Sequence, residues 1–241
     1  MSTSLRVLRN LLFILLILPT LSSTRYSGLL LEDSTLRQVD VWETAHSFSR
    51  VYSLQRAIID QVEMCLHLSE GVVLVSECAG DPSREIWRSP EAWQVQEAFF
   101  SDLDLDGALE LALLVWRAFN PWPVDQFMPY GGRIDAFKDD EGNSCHLILL
   151  SLEEGNPKEI WAGSALANPM HSLLAEDLDG DGLQELAAIE YAYDSTTLSG
   201  QIVVWEWNGF GFSLVDRMDG TYASMHVLSR EESMILLALN D

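Results

Sequence analysis

Along this chain the apolar residues gather in short runs separated by turn residues, and the runs carry no helical period. VVLVSE (72–77), LELALLVW (109–116), CHLILLSL (145–152), QELAAIEY (184–191), QIVVWEW (201–207) and SMILLAL (233–239) are rich in aliphatic and aromatic side chains and are bounded by Gly, Pro, Asn, Asp or Ser. Such runs predict strands, because a helix needs about a dozen residues with apolar positions three and four apart. Past residue 23 no segment meets that requirement, so an all-β chain is expected.

The predicted strands repeat. VVLVSECAGDPSREIWRSP (72–90) lies over HLILLSLEEGNPKEIWAGS (146–164) without a gap, and looser copies of the same hairpin occur at 28–44 and 201–218. A second strand pair recurs as WQVQEAFFSDLDLDGALELALLVW (93–116), MHSLLAEDLDGDGLQELAAIEY (170–191), MHVLSREESMILLALN (225–240) and, more weakly, at 50–68. The order begins with a hairpin and ends with a strand pair, each half a unit. Joining the halves gives four units: 44–89, 93–162, 169–217, and 222–241 with 27–42. A ring of such units hides its edge strands, which predicts a four-bladed β-propeller whose last blade is closed by the N-terminal hairpin and the C-terminal strands. A β-sandwich with two acidic loops is the competing arrangement. Trp42, Trp87 and Trp161 recur at one point of the hairpins and His171 and His226 after a methionine, so all five are read as packing residues.

The first 23 residues carry Arg6 and Arg9, then LLFILLILP, then the small residues of TLSST, the pattern of a secretory signal peptide. Its apolar run is shorter than the roughly 20 residues that span a bilayer, and an uncleaved N-terminal anchor is the alternative. The remaining domain, 27–241, is expected to be secreted, periplasmic or at the cell surface. Composition narrows the partners: 37 acidic against 14 basic residues give a formal charge of -23. Such a surface repels nucleic acid and anionic headgroups and attracts cations, so no nucleic-acid partner is expected, and membrane contact only through an uncleaved anchor. Three cysteines are too few for a disulfide scaffold; Cys65 and Cys78 lie on adjacent predicted strands, where a bridge is one open arrangement.

The candidate chemistry lies in two copies of one acidic loop. SDLDLDGALEL (101–111) and EDLDGDGLQEL (176–186) align Asp102 with Asp177, Asp104 with Asp179, Asp106 with Asp181, Gly107 with Gly182 and Glu110 with Glu185. Carboxylates at alternate positions can converge on one point, and the glycine permits the sharp turn that brings the glutamate back. A hard cation with six to eight oxygen ligands suits this set, so two Ca²⁺ sites are expected at 102–110 and 177–185. The backbone carbonyls of Ala108 and Leu183 are the expected further ligands. Position twelve, where an EF-hand keeps its glutamate, is Leu113 or Ala188, so the EF-hand reading fails.

The pattern D-x-D-x-D-G-x-x-E-L running straight into an apolar strand resembles the FG-GAP/VCBS repeats of integrin alpha-type propellers and secreted bacterial proteins. The resemblance is strong over the two loops and weaker over 28–241, where a literal FG-GAP tetrapeptide is absent. It implies a calcium-binding propeller blade and an extracellular binding role, not an enzyme.

One stretch breaks the repeat: about 20 extra residues within 117–143 form a long connection of a kind that is often functional. Its Trp122, Phe127 and Tyr130 offer faces for a sugar or a partner pocket, and Asp125, Arg133 and Asp135 offer hydrogen bonds. No HExxH, GxSxG or phosphate-binding glycine loop occurs, so no catalytic residue is assigned. The expected function is a calcium-binding module, with the metal structural, for an extracellular protein or glycan. Alternatives are a secreted polysaccharide hydrolase or lyase, or a structural subunit of an envelope assembly.

Overall fold

A computed structural model describes residues 26–39, 49–51, 55–79, 84–120, 136–155, 157–230 and 233–241. The signal segment, Trp42 and the proposed ligand residues Trp122, Asp125, Phe127, Tyr130 and Arg133 lie outside the described residues. Within them the chain is all-β, with one short 3₁₀ turn at Glu153–Gly155. No helix among the described residues is long and apolar enough to cross a membrane.

The strands are β1 (Tyr26–Glu32), β2 (Thr35–Val39), β3 (Ser49–Val51), β4 (Arg56–Ile59), β5 (Val62–Ser69), β6 (Val72–Glu77), β7 (Glu85–Arg88) and β8 (Gln94–Ser101). There follow β9 (Glu110–Ala118), β10 (Asn143–Ser151), β11 (Lys158–Ala162), β12 (Met170–Glu176), β13 (Glu185–Glu190), β14 (Gly200–Trp207), β15 (Phe212–Arg230) and β16 (Ser233–Asn240). Two antiparallel sheets hold four strands each, β4 to β7 and β8 to β11 in chain order. The third has eight strands, in the order β12-β13-β14-β15-β16-β1-β2 with β3 paired to β15.

The sheets stack in series, and the β8–β11 sheet is buried on both faces. Successive side chains of a strand point to opposite sides, so a strand buried on both reads as an unbroken apolar run. Leu111, Leu113 and Val115 of β9, with Ile148 and Leu150 of β10, pack against Ala57, Met64, Leu66, Val73 and Val75 of the first sheet. Their neighbours Ala112, Leu114, Leu147 and Leu149 pack the other way, against Met170, Leu186, Ala188 and Val203 of the third. A further layer lies within the third sheet, where Ala187, Ile189, Ile202 and Val204 meet Leu29, Leu31, Met225, Val227 and Leu236. LALLV at 111–115 is wholly buried for this reason.

The strand sets 56–88 and 94–162 are separate sheets, whereas the third and fourth sequence units share one. Asp219-Gly220 falls between the third and fourth sequence units, yet β15 runs straight through it, pairing with β14 up to Met218 and again at Tyr222, and with β16 from Tyr222 onward. Gly220 lies under the Tyr222 ring, where an added Cβ would come within 2.5 Å of the ring, so the glycine serves packing. Strand β1 pairs with β16, from Tyr26 opposite Leu239 to Leu29 opposite Leu236. Cys65 and Cys78 form a disulfide beside the β5–β6 pairing.

Candidate metal centres

Each acidic loop leaves an edge strand of its set and enters the strand beside it, β8 to β9 and β12 to β13. In the first loop, Asp102, Asp104, Asp106 and Glu110 each place a carboxylate oxygen within 4.8 Å of the others. In the second, Asp177, Asp179 and Glu185 do the same, and Asp181 stays outside that group. Exposed Asp181 instead accepts the Leu183 N–H through Oδ1 at 2.8 Å, as Asp106 accepts that of Ala108 at 2.8 Å. The two residues expected to offer carbonyls thus sit beside their clusters, Ala108 half-buried and Leu183 exposed.

Backbone N–H groups hold the carboxylates inward. Asp102 Oδ2 accepts from Gly107 at 3.2 Å, and Asp177 Oδ2 from Gly182 at 3.0 Å. Both glycines take a left-handed conformation, with φ near 90°, that a side chain would oppose. The glutamates arrive on the first residues of β9 and β13 and turn back: Glu110 Oε2 accepts from Leu103 at 2.9 Å and Asp104 at 3.4 Å, and Glu185 Oε2 from Leu178 at 2.7 Å.

The loops also differ at the first aspartate. In the second, Asp177 Oδ1 accepts the Gly180 N–H at 2.8 Å. In the first, the equivalent Asp102 Oδ1 is buried without a hydrogen-bond partner. Leu105 stands where the second loop has Gly180, and it too is forced to a positive φ, of 63°.

Such clusters hold charge at a cost, since two like charges about 4 Å apart repel by about 4 kcal/mol at an effective dielectric near 20. Burial, then the charges of Asp104 and Asp102, push the Glu110 carboxyl up to about 8 against the pull of its N–H donors. Burial and the three aspartates of its loop push Glu185 up to about 7. Asp104 is raised by burial and by Asp106. A cation removes the repulsion, and the donors are all oxygens, so either group can hold a hard metal ion.

Two features escaped the sequence reading. Gln184, which the first loop replaces with Leu109, reaches across to the other loop: its Oε1 accepts from Asp102 N at 3.1 Å and from the Ser101 hydroxyl. Glu97 of β8 accepts the backbone N–H groups of Ser172 and Leu173, at an irregularity in β12. The departure of Gln184 from the repeat was a usable signal; nothing local marks Glu97.

Elsewhere, a cleft of about 320 Å³ at the C-terminal end of the 117–143 segment is lined by Phe137, Lys138, Asp139, Asp140, Tyr193 and Asp194. Trp161 packs edge-to-face on Trp207 and Phe212, and Trp87 lies against Trp93, so both repeated tryptophans with described positions are packing residues. No protein-family profile matches this chain, and no curated protein matches its sequence.

Proposed function

We propose that this chain is a secreted or surface-exposed calcium-binding repeat domain of the FG-GAP/VCBS kind, serving as a binding module for an extracellular protein or glycan. The four strand sets are read as propeller blades. Three serial interfaces, with the inner layers buried on both faces, and the pairing of β1 with β16 support this over a two-sheet sandwich.

The carrying observation is the duplicated loop, with a glutamate 2% exposed in the first copy and 5% in the second and an orphaned Asp102 oxygen beside the first. An oxygen-only donor set of this size fits Ca²⁺, which accepts six to eight ligands in flexible geometry, better than Mg²⁺, which demands a small octahedron and keeps its waters. The metal's role in this reading is structural: it neutralises carboxylates and fixes the turn between two buried strands. The Cys65–Cys78 bridge supports an oxidising compartment. The ligand is assigned to the 117–143 segment, whose described end lines the cleft beside Tyr193.

The test is a calorimetric calcium titration of residues 24–241, with Asp104→Ala and Asp179→Ala. Two ions in the parent, one in each variant and a higher melting temperature in calcium than in chelator are expected. A parent that takes up no calcium refutes the reading. A glycan array probed with intact protein and with a 119–132 deletion tests the ligand segment, and unchanged binding excludes it.

A further inference from the structure

We propose that the two ion sites are positively coupled and that the side chain of Gln184 links them; this rests on the calcium reading above. Gln184 belongs to the second loop, directly before the ligand Glu185 and directly after Leu183. Its amide oxygen ends in the first loop, on the backbone N–H of Asp102 and the hydroxyl of Ser101. Asp102 is the first carboxylate of that loop and the residue whose Oδ1 is buried and unpaired, so the contact fixes the group with most to gain from a cation.

An ion in the second loop draws Glu185 onto its ligand position and so orders the residue beside it. Ordered Gln184 holds the Asp102 backbone where the first ion needs it, and the cost of ordering that loop has then been met before its ion arrives. Coupling of this kind is reciprocal, so filling the first loop tightens the second by the same factor. Ser101 is 3% exposed and ends β8, which also packs beside β12, so the amide contacts a rigid element. Repulsion between the ions acts in the opposite sense, but it is screened beyond about 8 Å at physiological salt. An ion enclosed by the four carboxylates of the first loop also leaves that loop anionic. The position is asymmetric: Leu109, the counterpart of Gln184, has no polar group to return the contact.

The experiment titrates the full chain with CaCl₂ in 150 mM KCl by calorimetry. Glu185→Gln reports the first site alone and Glu110→Gln the second alone. The parent's overall affinity is expected to exceed the product of the two single-site affinities on the order of fivefold. Repeated in a Gln184→Leu background, the ratio is expected to fall to about one with two ions still bound. Ser101→Ala removes one of the two contacts from the other side and is expected to reduce the ratio partway, which keeps the test open should Gln184→Leu fail to fold. Independent or antagonistic binding of two ions by the parent overturns the coupling while leaving the calcium reading intact. Coupling that survives both substitutions overturns the role of Gln184, and a parent that binds no calcium overturns the reading on which this rests.

Discussion

Glu110 and Glu185 are carboxylates held where ionisation is opposed by burial and by their neighbours. With folded values of about 8 and about 7, both stand above the ordinary 4.5, so their sign is that of a raised acid. Their contribution to stability is complete below about pH 4.5 and is lost as pH rises through 7 and 8. In chelator the melting temperature is therefore expected to fall between pH 5 and pH 8. Saturating calcium should flatten or reverse that fall, because the ion binds the ionised glutamates. A second expectation concerns Leu105: relief of its left-handed backbone makes Leu105→Gly neutral to about 1 kcal/mol stabilising, read by chemical denaturation. At this scale the loops were legible because their ligands are local, at fixed offsets along one turn. Asp181 shows the limit, since spacing alone does not settle which way an exposed carboxylate turns, and the Gln184 contact joins residues 82 apart.

At the scale of elements, Glu97 pins two sheets together. Its two oxygens take separate N–H groups of β12, from Ser172 and Leu173, where the β12–β13 register shifts and Ser172 adopts a φ of 55°. Glu97→Leu leaves both part-buried donors without this acceptor and is expected to cost about 2–4 kcal/mol; Glu97→Gln keeps one acceptor and should cost about half of that. Denaturant unfolding of the three proteins decides it, and equal costs would show that only charge matters. Leu114→Ala, in a strand buried on both faces, should cost about 2–5 kcal/mol. The strands themselves were readable because double burial leaves an unbroken apolar run, as in LALLV and LILL. The continuity of β15 was not, because a glycine selected for contact with a ring looks in sequence like a glycine selected for a turn.

For the whole molecule, the disulfide and the pairing of distant strands set the terms. Cys65 and Cys78 close a loop with a separation of 13 residues, and replacing both with serine should lower stability by about 3 kcal/mol if the strand pair is otherwise unchanged. Thermal unfolding with and without reductant checks this. The partnership of the first hairpin with the C-terminal strand was legible from the half units, but the merging of two units into one sheet depended on a backbone path that the repeat does not encode. That partnership also constrains the order of events during synthesis. Ser27 and Asn240 hydrogen-bond across 213 residues of chain, and Leu29 and Leu31 are buried partly by residues beyond 222. A nascent chain therefore holds β1 with only β2 beside it, its other edge open, until nearly all of the domain has been made, and the final docking step closes a very long loop. An apolar strand that waits so long for its partner is exposed to aggregation, so refolding yield should depend steeply on concentration.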